Sequence, residues 1–95
     1  ESDLDRALKL VDAALEQVPE HPYFHETRAQ ILLKQTNYKD AIIHFERSLR
    51  AEAIRQQVHE GLSEAYAALG QSALAEEHKQ FAARYREQAA NPAEP

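Results

Sequence analysis

The sequence predicts an all-α fold of about five helices arranged as antiparallel hairpins. Three observations lead there. Apolar residues recur at spacings of three and four, the helical period, and no run alternates as a strand would. Glycine and proline are almost confined to punctuation: Pro19 and Pro22 bracket a break after Val18, Gly70 closes "AYAALG", and Pro92 and Pro95 lie in a polar tail. The linkers "QTN" (35–37) and "GQ" (70–71) are short, which forces the helices on either side to run antiparallel.

Each element has its own signal. The first helix is expected over about Asp3–Gln17, carried by the stripe Leu4, Ala7, Leu8, Val11, Ala14, Leu15 and Val18. Ser2 supplies its N-cap, Asp5 closes a capping box, and Pro19 prevents continuation. The second spans about Tyr23–Lys34, with Pro22 tolerated in the first turn. The third spans about Tyr38–Ala51 behind Asn37 as cap, with Ala41, Ile42, Phe45, Ser48 and Leu49 as its stripe. The fourth spans about Arg55–Leu69, and Gly70 supplies the left-handed residue after it. The fifth starts near Ser72 and runs into the Ala89 region, and residues 91–95 ("NPAEP") read as a disordered tail because they offer nothing apolar to dock.

Composition narrows the function. The chain has 95 residues, 43% hydrophobic and 28% charged, a balance that suits one modest globular core. No apolar stretch approaches the roughly 20 residues of a membrane span. The net charge of −5 and the scattering of the 11 basic residues argue against nucleic acid and against anionic lipid. Absence of cysteine removes disulfides and thiolate chemistry and suits a reducing, cytoplasmic setting. Absence of any methionine, even an initiator, leads us to expect a piece of a longer protein.

The chain also matches itself. Displaced by 34 residues, His25 falls on His59, Glu26 on Glu60, Ala41 on Ala75 and His44 on His78. In the other direction Ala7 meets Ala41, Asp12 meets Glu46, Leu15 meets Leu49 and Leu32 meets Tyr66. A period of 34 with one helical hairpin per period resembles the tetratricopeptide repeat family, whose pattern is Trp-x2-Leu-Gly-x2-Tyr, then Ala-x3-Phe, then Pro. The central unit reads His25-x2-Arg28-Ala29-x2-Leu32 and Ala41-x3-Phe45, with Ala53 where the family has Pro. The last unit reads His59-x2-Leu62-Ser63-x2-Tyr66 and Ala75-x3-Lys79, and the first helix supplies Ala7-x3-Val11 and Pro19.

The resemblance implies a right-handed superhelical stack. Residues 1–21 form the second helix of a truncated leading repeat, 22–55 one repeat, and 56–90 a repeat with a long terminal capping helix. Small residues (Ala29, Ser63, Ala41, Ala75, Ser48 and Ala82) mark the close helix crossings, and Leu32, Phe45, Leu49, Leu62, Tyr66 and Leu69 fill the space between hairpins. The first helix, lacking a hairpin partner, is expected to expose an apolar face with Leu4, Leu8, Val11 and Leu15 as members, open to self-association.

Two His-Glu pairs suggest a metal site before anything else. A metallohydrolase helix needs His-Glu-x-x-His, which places two imidazoles on one face. Here the chain continues His25-Glu26-Thr27-Arg28-Ala29 and His59-Glu60-Gly61-Leu62-Ser63, so the second imidazole is missing twice. His25 and His59 are expected on adjacent helices about 10 Å apart, each filling the slot of the family's Trp, with His44 and His78 partly exposed. No Gly-rich phosphate loop or serine elbow is present, so no metal, cofactor or catalytic residue is assigned and no enzyme is expected.

The resemblance instead implies a protein- or peptide-binding concave face. It would be lined by Tyr23, Glu26, Gln30, Leu33 and Lys34 from one repeat and by Gln57, Glu60, Glu64, Ala67 and Ala68 from the next. Relatives that clamp a C-terminal carboxylate use Lys, Asn and Arg on this surface. The matching positions here hold Glu26, Gln30, Glu60 and Glu64, which argues against such a clamp and for an acidic face that takes a basic or neutral partner. The alternative function is a helical appendage that positions or dimerises a catalytic domain.

Overall fold

The structure is a computed structural model that describes residues 1–51 and 55–90. It contains five helices in the expected order: α1 (Asp3–Gln17), α2 (Pro22–Lys34), α3 (Tyr38–Ala51), α4 (Gln56–Ala68) and α5 (Ser72–Ala90). The tail at 91–95 lies outside the described residues. Among the described residues no strand is present and no helix is long and apolar enough to cross a membrane.

Helix ends follow the local chemistry. The Ser2 hydroxyl accepts from the Asp5 backbone N–H, and the Asp5 carboxylate accepts in return from Ser2 N–H, completing the capping box. α2 begins one residue earlier than the sequence reading, at Pro22, because the His21 ring caps it by accepting the Tyr23 N–H. Asn37 stands just ahead of α3: its carbonyl accepts the Ala41 N–H and its side-chain amide donates to the Asp40 carboxylate.

The two linkers are one design executed with different residues. After α2, Asn37 N–H donates to Leu32 O and Thr36 N–H to Leu33 O; after α4, Gln71 N–H donates to Tyr66 O and Gly70 N–H to Ala67 O. Both are Schellman terminations, which require a left-handed residue after the helix. Gly70 meets this at φ 77 without penalty, whereas Thr36 is forced to φ 61 despite its branched side chain.

α2 packs on α3 and α4 on α5 as hairpins, α3 packs against α4, and α2 touches α4 lightly, while α1 packs on α2 alone. One core runs through both hairpins: Ala29, Leu32, Ala41, Ile42, Phe45, Val58, Leu62 and Ala65, with Leu49, Tyr66 and Leu69 against it. At its centre the fully buried Phe45 ring of α3 lies directly over Gly61 of α4. A Cβ at Gly61 would sit 2.2 Å from Phe45 Cζ, so only glycine allows this approach.

The expected exposed stripe on the first helix is corrected here. Val11 is buried and Leu8 packs on the core, so the middle of the stripe faces α2; the large apolar side chains left in solvent are Leu10, 74% exposed, and Val18 just past the end of the helix. The period identified an apolar face but not which neighbour covers it.

Two substitutions test these contacts by urea unfolding followed by circular dichroism. Gly61→Ala lowers stability by about 1–3 kcal/mol through overpacking against Phe45, despite alanine's better helix propensity. Thr36→Gly raises stability by about 1 kcal/mol, a rise in Tm of roughly 4–8 °C, by relieving the left-handed strain.

Candidate functional site

α2 and α4 lie side by side, as the contact between them requires, and leave a groove of about 400 Å³ between their outer turns. Gln30, Leu33 and Lys34 line it from α2, and Gln57, Glu60, Gly61 and Glu64 from α4. A second depression of about 400 Å³ lies between α4 and α5, lined by Glu60, Ser63, Glu64, Lys79, Ala82, Ala83 and Arg86. Glu60 and Glu64 belong to both, because residues four apart share one face of α4 and that face is the rib between the depressions. Ser63 holds the second floor in place by donating its hydroxyl to the Ala75 carbonyl at 2.8 Å. A further depression is lined, among the described residues, by Ile43, Glu46, Arg47, Leu49 and Arg50 of α3.

The charges along the groove are unequal. Glu60 accepts from Arg86 Nη2 at 2.6 Å and is screened by solvent, with about two-fifths of its side chain exposed. Glu64 is exposed and makes no ion pair among the described residues. Lys34 places a cation on the opposite wall. The face is therefore acidic along the rib and bordered by Lys34, Lys79 and Arg86, rather than acidic throughout.

Glu26 differs most from the sequence reading. It is 6% exposed, and its carboxylate forms a buried ion pair with Arg55 at the start of α4. The Arg55 guanidinium also lies 4.2 Å from the centre of the Tyr23 ring. Tyr23, Glu26 and Arg55 thus make a bolt between α2 and the N-terminus of α4, at one end of the groove, and Glu26 offers no free charge to a partner. Tyr23 keeps about half its surface exposed beside this bolt. Ala67 and Ala68 are exposed on the last turn of α4, beyond the residues that line either depression.

Sequence reasoning did not include Arg55, Lys79 or Arg86 in the site. Arg55 was available as the only basic residue at the start of the fourth helix. Lys79 and Arg86 lie on the charged surface of the long terminal helix, and the same periodicity that puts Ala75 and Ala82 on the buried face leaves them at its edge.

The four repeated histidines form two separate pairs. Among the described residues, no group of three or more His, Cys, Asp or Glu side chains is placed to hold a metal. Instead each hairpin joins its own two imidazoles: His25 Nδ1 lies 3.0 Å from His44 Nδ1, and His59 Nδ1 lies 2.9 Å from His78 Nδ1. His25 and His59 are buried, and burial pushes the His44 and His78 imidazoles below their ordinary range, His44 to about 4 with the further help of the Arg28 cation.

Comparison with known proteins gives one match. The family model described as tetratricopeptide repeat matches residues 1–54 and, overlapping them, 27–92. No curated protein and no solved structure matches the chain.

The bolt and the rib respond differently to loss of charge. Glu26→Gln lowers unfolding free energy by about 2–3 kcal/mol because it removes the charge from the buried ion pair with Arg55, whereas Glu64→Gln changes it by less than about 0.5 kcal/mol. Parallel urea titrations of the two variants check this.

Proposed function

The chain belongs to the tetratricopeptide repeat family, whose members mediate protein–protein interaction, and on that premise we propose that it is a non-catalytic module whose α2/α4 groove holds a peptide segment of a partner protein. The observation that carries this reading is the α4 rib. Glu60 and Glu64 line the depressions on both of its sides, so one cationic side chain of a bound segment meets two carboxylates. Leu33 gives that segment an apolar surface to lie on, and Gln30 and Gln57 give it hydrogen-bonding amides. Lys34 on the far wall favours a polar or acidic residue at the other side of the segment, so the preferred sequence carries Lys or Arg without being uniformly basic.

The lining also bears on partner class. A carboxylate-terminated peptide finds Glu60 and Glu64 where it needs cations, and a phosphate backbone meets the same repulsion. Glu26 is withdrawn from this reading because it is buried against Arg55, leaving the exposed Glu64 and the solvent-facing, Arg86-bound Glu60 as the carboxylates on which selectivity depends.

Fluorescence anisotropy against a set of short peptides with Lys or Arg, neutral, or Asp or Glu residues at one central position tests the proposal. The Lys and Arg peptides bind best, and Glu60→Lys/Glu64→Lys weakens them by about tenfold or more while circular dichroism stays unchanged. Equal affinity for the three peptide classes, or unchanged affinity in the doubly reversed variant, contradicts it.

A further inference from the structure

Glutamate stands at one repeat position twice, as Glu26 and Glu60, and each pairs with an arginine from outside its own helix. The two pairs differ in their access to water. Glu26 and Arg55 keep only 8% and 10% of their side chains exposed, so separating them would strand two charges away from solvent. Glu60 and Arg86 keep 42% and 58%, with 2.6 Å between Oε2 and Nη2. Water can take over each of these charges, so this pair opens at little cost.

Arg86 is not what holds α5 on α4. Ala75 and Ala82 are buried on the inner face of α5, and Ser63 donates to the Ala75 carbonyl. The His59 ring of α4 lies between helices with its centroid 5.1 Å from that of Phe81 and 5.4 Å from that of Tyr85. Lys79 lines the same depression as Arg86 and makes no ion pair among the described residues. Of the two cations beside the α4 rib, one is therefore bound to it and the other is not.

Glu60 lines the α2/α4 groove as well as the α4/α5 depression. A cation held in the groove and the Arg86 guanidinium reaching over from α5 thus address one carboxylate from opposite sides of α4. That carboxylate carries a single negative charge, and the two cations repel each other. While Arg86 is on Glu60, the uncompensated charge of the rib is that of Glu64.

We propose that Arg86 is a resident competitor and a specificity-determining residue: it occupies Glu60 in the free protein, and a partner's Lys or Arg side chain binds the groove by displacing it into solvent. This rests on the reading of the α2/α4 groove as the peptide site. A neutral segment lies in the groove with the Glu60–Arg86 pair closed and gains nothing from its opening. Without Arg86 the rib would offer two open carboxylates, four residues apart, to any cationic chain. With it, tight binding is kept for a side chain that reaches Glu64 as well as Glu60.

Arg86→Gln and Lys79→Gln test this as a pair. Each removes one positive charge from the same depression, so each relieves the long-range repulsion of a cationic peptide by a similar amount, which solvent and salt hold below about twofold. Only Arg86→Gln also frees Glu60. In fluorescence anisotropy with peptides bearing Lys or Arg, neutral, or Asp or Glu residues at one central position, Arg86→Gln tightens the Lys and Arg peptides by about three- to fivefold, as much as an exposed ion pair is worth. It moves the neutral peptides by less than about twofold, and Lys79→Gln moves both classes by less than about twofold. A merely structural role for Arg86 would weaken all classes alike. Equal tightening by the two variants, or none in Arg86→Gln, overturns the proposal and leaves the groove reading standing. Equal affinity of the wild type for the three classes removes that reading and this proposal with it. In the wild type, the Arg86 Nε–H resonance must shift on saturation with a Lys or Arg peptide and stay in place with a neutral one; an unmoved resonance with the cationic peptide also overturns the proposal.

Discussion

The contact between the Phe45 ring and Gly61 sets the geometry on which the rest of the structure depends. A helical hairpin has two faces and can cover only one of them with its own partner helix; the other must be buried against the next hairpin. Phe45, with none of its surface exposed, carries the first hairpin into the second, and the missing side chain at Gly61 lets α3 and α4 come close enough for Val58, Leu62 and Ala65 to close around it. With that crossing fixed, α2 and α4 lie in register on the opposite side, and the groove between them follows. Glu60 and its turn-mate Glu64 point away from the core because Gly61, Leu62 and Ala65 are committed to it.

Polar bonds supplement the core where it is thin. α1 has a single helical neighbour, so apolar burial through Val11 and Leu8 is supported by links at three places: Asp5 to Gln35, Asp12 to Arg28, and Pro19 to His25. The N-terminus of α4 is held in the same manner by Glu26, Arg55 and Tyr23. In each case a charge or ring lies between elements joined by few apolar side chains, and the groove inherits its shape from these ties as much as from the core.

Much of this was legible in the sequence, for physical reasons. Helix identity and nearly every boundary came from the 3.6-residue period and from capping residues, since Ser2 with Asp5 and Gly70 act locally. The 34-residue self-match located the hairpins because each repeat must present the same contacts to its neighbours. What failed depended on partners far along the chain. Glu26 and Glu60 are equivalent by repeat, yet Arg55 buries one and Arg86 leaves the other at the surface. Thr36 gave no turn signal, although its place opposite Gly70 in the repeat marked it as left-handed. The histidine pairs had a readable sign: His25 to His44 and His59 to His78 are both 19 residues, across a short linker, on helices that must run antiparallel.

The proposed partner site is the face made by α2 and α4. Backbone chemical-shift mapping on the nitrogen-15-labelled chain, titrated with the tightest-binding Lys- or Arg-bearing peptide, tests it most directly. The largest perturbations are expected at Gln30, Leu33, Lys34, Gln57, Glu60 and Glu64. Perturbations centred instead on Ile43, Arg47 and Arg50, across the outer face of α3, would contradict it.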